Sequence, residues 1–263
     1  MLERIPEQDI VMDDHHCVSA FDEAGLNGGP LFPIYHFNSL GYSRLLPKGA
    51  QIVDLFCGPA RFLEYLLRGR PDLSAIGIDL SAEMLAVAEA NMRAAGLADR
   101  VQLLQGDAAL AAELVPNRVD GVSSLSALHH CPTKDHFGQV LRAIKTLQSK
   151  GAAVWLFDLV RPESEKWLDL LPAMHEMSQQ VKLSDAFKTD WKNSLRAGWT
   201  FAEFEAALDI AHLDLRSSQA DYSQLHWSCL RDQNIGQDIP WCGPALSPKE
   251  QLRATRLKET LDI

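Results

Sequence analysis

From Gln51 to about Leu159 the sequence alternates short apolar runs with amphipathic stretches of helical length, and this rhythm constrains the fold more than any other feature. Short, continuously apolar runs separated by helices are what a parallel sheet covered on both faces requires, because each strand is then buried on both sides. QIVDLF predicts a first strand, ARFLEYLLRG a helix and SAIGIDL a second strand. Ser81 is placed to cap the helix SAEMLAVAEANMRAAG, in which Met84, Leu85, Ala88 and Met92 recur at helical spacing before Gly96 stops it. VQLLQGD, VDGVSSL and GAAVWLFDL predict strands three to five, with the helix DHFGQVLRAIKTLQSKG between the last two.

After Asp158 the rhythm changes. Residues 162–197 read as a helical insertion over the strand ends. A helix FAEFEAALDIAHL and two strands, LDLRSS and YSQLHWSCL, then follow closely enough for the strands to pair antiparallel at the sheet's far edge. The expected architecture is α/β, a Rossmann-like seven-stranded sheet that is mostly parallel with an antiparallel C-terminal edge. Residues 1–49 form an N-terminal helical lid in two pieces split by the NGGP turn at Asn27, residues 50–232 the main domain, and residues 233–263 a tail. SPKEQLRATRLKETL in that tail reads as a solvated helix.

Composition narrows the partners. With 35 Asp plus Glu against 25 Lys plus Arg, the chain carries a formal charge of −10, whereas nucleic-acid binders need a basic surface to displace counterions. Nucleic acid is therefore not expected as a partner. No run of about 18 apolar residues is present and MLERIPEQD is charged, so neither a membrane partner nor a secretory leader is expected, and a cytoplasmic monomer or homodimer is. Five cysteines without CxxC spacing indicate reduced thiols rather than a disulfide framework or a structural zinc site.

VDLFCGPARF runs from an apolar strand through a small-residue turn into a helix, a geometry that lets a ligand approach backbone N–H groups at a helix N-terminus. Gly58 alone is equally consistent with a tight turn. Asp79 ends the second strand, where a carboxylate can accept both hydroxyl hydrogens of a ribose, and Asp107 ends the third, where it can accept the amino hydrogens of an adenine. Either residue by itself is more often a helix cap or a solvated strand end. Three acidic strand ends in succession, Asp54, Asp79 and Asp107, favour the joint reading.

With these features the chain resembles the class I S-adenosylmethionine (SAM)-dependent methyltransferases over about residues 50–232. It is most similar to small-molecule enzymes whose fourth strand runs into an LHH sequence, here SALHHCP. The resemblance implies that SAM, leaving as S-adenosylhomocysteine, lies across the C-terminal edges of the first strands. It implies that Asp54, Cys57 and Gly58 line the methionine part, that Asp79 with Leu80 holds the ribose and that Met84 packs against it. It also implies that Asp107 and Ala108 meet the adenine and that Ser124 and Leu125 face the sulfonium. The sequence departs from the family at Phe56 and Ala60, where glycine is usual, and a Cβ at Ala60 obstructs close approach or a positive φ.

Methyl transfer from SAM is an in-line displacement that requires alignment, and a general base only when the acceptor brings its proton to the reaction. His130 is the preferred base, with His129 and Asp158 as further catalytic candidates, although an LHH turn is also able to hold a loop. No metal is expected, because the side chains of consecutive histidines diverge. Tyr35 and Tyr42 before the first strand and Arg161 after the fifth are candidates for binding a small-molecule acceptor, as ordinary core residues and an Asp158–Arg161 pair are the alternatives. Trp167, His175, Trp191 and Trp199 either line that pocket or pack the insertion. The expected activity is methyl transfer to oxygen, nitrogen or sulfur of a small metabolite, with a SAM-binding protein lacking catalysis as the alternative. Dinucleotide binding is disfavoured, since the loop lacks the further glycines it needs.

Overall fold

A computed structural model of the chain describes residues 2–7, 11, 13–179, 182–213, 215–219, 225–230 and 239–243. Two helices, α1 (His15–Ala24) and α2 (Phe32–Ser43), precede the first strand, with the NGGP turn between them. Then follow β1 (Gln51–Leu55), α3 (Arg61–Gly69), β2 (Ser74–Asp79), α4 (Ala82–Ala94), β3 (Val101–Gln105), α5 (Ala111–Leu114) and β4 (Gly121–Leu125). The chain continues through α6 (Lys134–Ser149), β5 (Ala153–Leu159), α7 (Lys166–Gln179), α8 (Asp185–Ala197), α9 (Phe201–Ile210), β6 (Leu215–Gln219) and β7 (Leu225–Leu230). The predicted tail helix lies outside the described residues.

The strands form one sheet in the order β3-β2-β1-β4-β5-β7-β6. β1 to β5 pair in parallel, and β7 runs antiparallel to both β5 and β6, with Asp158 opposite His226 and Ser217 opposite Ser228. Strand order reverses between β1 and β4, which opens a crevice outside the strands' carboxyl ends. That switch point places the ends of β1, β2, β3 and β4 around one space.

Each face of the sheet carries its own core. On one side Leu63, Leu66 and Leu67 of α3 and Tyr42 of α2 pack with Ile52 and Trp155 from the strands. On the other, Val140, Leu141 and Ile144 of α6 and Phe204 and Leu208 of α9 pack on Val53, Val122 and Val154. The alternation of Ile52 and Val53 between the two clusters is the period-two signature of a strand buried on both faces. Local chemistry fixes the helix starts: Ser81 accepts from the Met84 N–H, Thr133 from the His136 N–H, and Thr200 with Glu203 forms a capping box at α9.

The N-terminal segment divides its work in a way that its aromatic spacing does not reveal. α2 is a layer helix: Tyr42 is fully buried, its ring 6.5 Å from that of Phe62 and 6.1 Å from that of Trp155. The Trp155 indole donates to Asn38 Oδ1 of the same helix at 2.7 Å. α1 instead leans on α4 beside the crevice, tied by Asp22 to Arg61 of α3 at 2.7 and 2.8 Å.

Candidate active site

A cavity opens at the switch point, and much of its wall was named from the sequence. Asp54, Cys57, Gly58, Asp79, Leu80, Met84, Asp107, Ala108 and Leu125 all line it, as do Tyr35 and His130. Ser124 does not. It is fully buried in β4, and its Oγ has no hydrogen-bond partner among the described residues.

The loop after β1 takes the conformation that glycine would favour, with glycine at only one of three positions. Phe56, Gly58 and Ala60 have φ of 56°, 51° and 59°, all in the left-handed region. An added methyl at Gly58 would find its nearest neighbours, Phe21 and Met84, only at 3.8 and 3.9 Å. Glycine is therefore favoured there by the backbone rather than by space. Ala60 is also the N-cap of α3 and gives that helix no side-chain cap, unlike the serine, threonine and aspartate caps of α1, α4, α6, α8 and α9. Its first N–H groups thus begin at the cavity wall without an internal side-chain partner, which suits an anionic ligand group.

Three carboxyl groups ring the space in distinct hydrogen-bonded settings. Asp79 accepts from the N–H groups of Gly58 at 2.7 Å and Ser81 at 2.9 Å, and a carboxylate so held still has lone pairs for two further donors. Burial pushes the Asp79 carboxyl upward against those two bonds. Asp54 lies deeper, fully enclosed, and burial raises it to about 7 although the Ser123 hydroxyl donates to it at 2.7 Å. Asp107 caps the turn that follows it and holds His136 Nε2 at 2.9 and 3.1 Å. His136, Phe21, Ser126 and Arg61 line the cavity without having been predicted to do so. His136 was readable only as part of a helix-forming run. Arg61 is already occupied by Asp22 and by Glu64 at 2.7 Å, and so brings little free charge to a ligand.

Several predicted residues stand outside the cavity wall. Asp158 is buried behind it, accepting from the backbone N–H of His129 at 2.9 Å and from His129 Nδ1 at 2.6 Å. His129 is itself buried. Burial opposes its imidazolium, but the charge and hydrogen bond of Asp158 outweigh that and raise it. The Asp158–Arg161 pair, the alternative to acceptor binding, is not formed, and Arg161 does not line the cavity: it donates to Gly198 O at 2.8 Å and to Glu203 at 2.9 Å, linking the insertion's end to α9. Tyr42 belongs to the core described above. Trp199 is buried with its ring stacked 4.9 Å from Phe137, and neither Trp167 nor Trp191 reaches the cavity; the His175 side chain lies outside the described residues.

A residue far away in sequence completes the cluster. Glu7 lies 2.7 Å from His130 Nδ1 and 4.0 Å from His129 Nε2, and Ser194 of α8 donates to it at 2.7 Å. Burial works against its ionisation, yet the His130 bond and the nearby imidazoles lower it to about 2. The consecutive histidines do not diverge as expected, their ring centroids lying 4.2 Å apart. Glu7, His129 and His130 bring three ligand-type atoms within 4.8 Å of one another. Two ligands bridged tetrahedrally by a metal at about 2.0–2.1 Å would sit roughly 3.3 Å apart, so 2.7 Å between Glu7 and His130 is the length of a hydrogen bond.

Comparison with known proteins agrees with this geometry. Residues 52–151 match a methyltransferase domain family. The chain is 44% identical over 55 residues to a carboxy-S-adenosyl-L-methionine synthase of Campylobacter jejuni subsp. doylei, an alignment covering 21% of this chain and spanning 23% of that protein's length. It is 33% identical over 166 residues to a ubiquinone biosynthesis O-methyltransferase of Methylococcus capsulatus, covering 63% of this chain and 66% of that one. An O-methyltransferase family protein from Burkholderia thailandensis shares the fold with a TM-score of 0.59 at 18% identity, over 82% of this chain and 59% of the other. Residues 52–151 thus form a methyltransferase domain, and the strand order around it is that of the class I SAM-dependent methyltransferase fold.

Proposed function

We propose that this protein transfers the methyl group of SAM to a heteroatom of a small molecule, with His130 taking the acceptor's proton. The observation that carries the reading is the convergence, on one cavity at the strand-order switch, of Asp54, Gly58, Asp79 and Asp107 with His130. The uncapped start of α3 suits the methionine carboxylate, and the enclosed Asp54 suits its ammonium. Asp79 retains lone pairs for the ribose hydroxyls, while Asp107, with His136 beside it, faces the adenine end. Bound there, SAM supplies a methyl group already activated by its positive sulfur.

The chain's own residues then have four tasks. Leu125 and Met84 provide apolar wall that keeps water from the transfer, α1 closes the side marked by Phe21, and Tyr35 contacts the acceptor. His130 accepts the proton. The substitutions at Phe56 and Ala60 give little support to a non-catalytic binding protein, because both residues keep the left-handed backbone that glycine would allow. An acceptor on the scale of a metabolite agrees with the chain's acidic charge, which opposes a nucleic acid.

The test is transfer of label from methyl-labelled SAM to compounds of a metabolite extract. A labelled product is expected, and His130→Ala should lower turnover by about 10² or more while leaving SAM affinity nearly unchanged. Undiminished turnover in that variant would remove His130 from the chemistry, and no labelled product with bound SAM would favour a binding protein.

A further inference from the structure

The segment Leu2–Glu7 is strapped across the far side of the histidine pair. The Leu2 N–H donates to Glu163 O at 3.0 Å and the Ile5 N–H to Arg196 O at 3.3 Å. The Arg4 guanidinium lies 3.7 Å over the Trp199 ring and donates to Ala197 O at 2.7 Å, Pro132 O at 3.1 Å, His129 O at 3.1 Å and Cys131 O at 2.6 Å. An arginine using this many backbone acceptors around the Leu128–His130 turn fixes where the next residues of the strap lie. Glu7 is thereby delivered to His130.

From this arrangement we infer that Glu7 is a positioning residue for proton removal: it accepts the Nδ1–H of His130, and so leaves Nε2 as the unprotonated nitrogen of a ring that lines the cavity. The inference rests on the methyl-transfer reading of the cavity and specifies its acceptor as a group that gives up a proton on transfer, such as a hydroxyl. Neutral imidazole carries one N–H, so the partner of one nitrogen decides which nitrogen is basic. His129 is fixed in the same manner by Asp158, with its Nδ1–H also committed, and its ring lies tilted against that of His130. During transfer the acceptor's proton passes to His130 Nε2 as the acceptor's electron pair bonds the methyl carbon, and the carbon–sulfur pair stays on sulfur. The resulting imidazolium is balanced by Glu7, and His130, one quarter exposed, releases the proton to solvent.

Imidazole 15N–1H correlation spectra, with His130 assigned by comparison with His130→Gln, test this directly. The neutral ring of the full-length protein is expected as the Nδ1–H tautomer. Glu7→Gln, whose carbonyl oxygen still accepts, should keep that tautomer, and Glu7→Ala should move the population toward Nε2–H. With an acceptor from the labelling assay, Glu7→Ala should lower kcat at least roughly tenfold, with KM and SAM affinity within about twofold, and Glu7→Gln should lie between it and the parent. An Nε2–H tautomer in the parent, an unmoved tautomer or unchanged kcat in Glu7→Ala, or a stoichiometric divalent metal lost with Glu7→Ala would each overturn the inference. Failure of SAM to bind would strike the methyl-transfer reading instead, and the tautomer would still judge Glu7.

Discussion

Phe56 and Ala60 occupy left-handed backbone that an L side chain enters at roughly 1–2 kcal/mol. From the sequence, Ala60 was the feature most at odds with a cofactor loop; in the structure it takes the positive φ, with its methyl group buried. Ala60→Gly should therefore stabilise the fold by up to about 1 kcal/mol in denaturant unfolding, since the backbone relief is partly offset by the freer unfolded chain. A clear loss of stability would show that methyl packing outweighs the backbone. Asp54 carries a second residue-scale prediction. Its folded-state value of about 7 exceeds that of the unfolded chain, so its contribution to stability is full below about pH 4 and is lost as pH rises toward 7. A bound ammonium favours the carboxylate and reverses that sense. SAM binding near pH 6 should therefore release a proton, with affinity rising toward pH 7 and levelling above it, and Asp54→Asn should abolish the release. Calorimetry in buffers of different ionisation heat measures this; proton uptake or a flat profile would exclude Asp54 as the ammonium's partner.

At the scale of elements, the strands and helices from β1 to β5 were legible because burial on both faces imprints continuous apolar runs, and caps such as Ser81 mark helix starts. The cavity-lining aspartates were legible for the same reason, as strand ends can be counted. What could not be read was lateral placement. Nothing in the spacing of Tyr35 and Tyr42 says that α2 turns the first toward the cavity and the second into the core, and no local signal brings Glu7 to His130 across more than a hundred residues. Likewise, Asp158 and Arg161 are close in sequence but commit to partners on different elements. The seat of α2 makes its own prediction. A Cβ at Gly121 would lie 2.3 Å from Tyr42 Oη and 2.7 Å from Leu46, so Gly121→Ala must push α2 off β4 or distort the strand. The expected loss is about 1–3 kcal/mol on thermal or denaturant unfolding, and a neutral outcome would mean that α2 is not clamped there.

The whole molecule joins a sheet whose order reverses between β1 and β4, two capping segments in α1 and Leu2–Glu7, and a cavity where acidic strand ends meet a histidine held by a carboxylate. The fold alone would also suit other nucleotide-derived ligands, because the crevice at a switch point is common to them. In the proposed function, the loop and the three aspartates choose among them. The most direct measurement is titration calorimetry of the full-length protein with SAM, S-adenosylhomocysteine and NAD. One site per chain is expected for SAM and S-adenosylhomocysteine, weakened at least roughly tenfold by Asp79→Ala through lost hydrogen bonds to the ribose, with no binding of NAD. Binding of NAD without SAM, or SAM binding unaffected by Asp79→Ala, would contradict the proposed function.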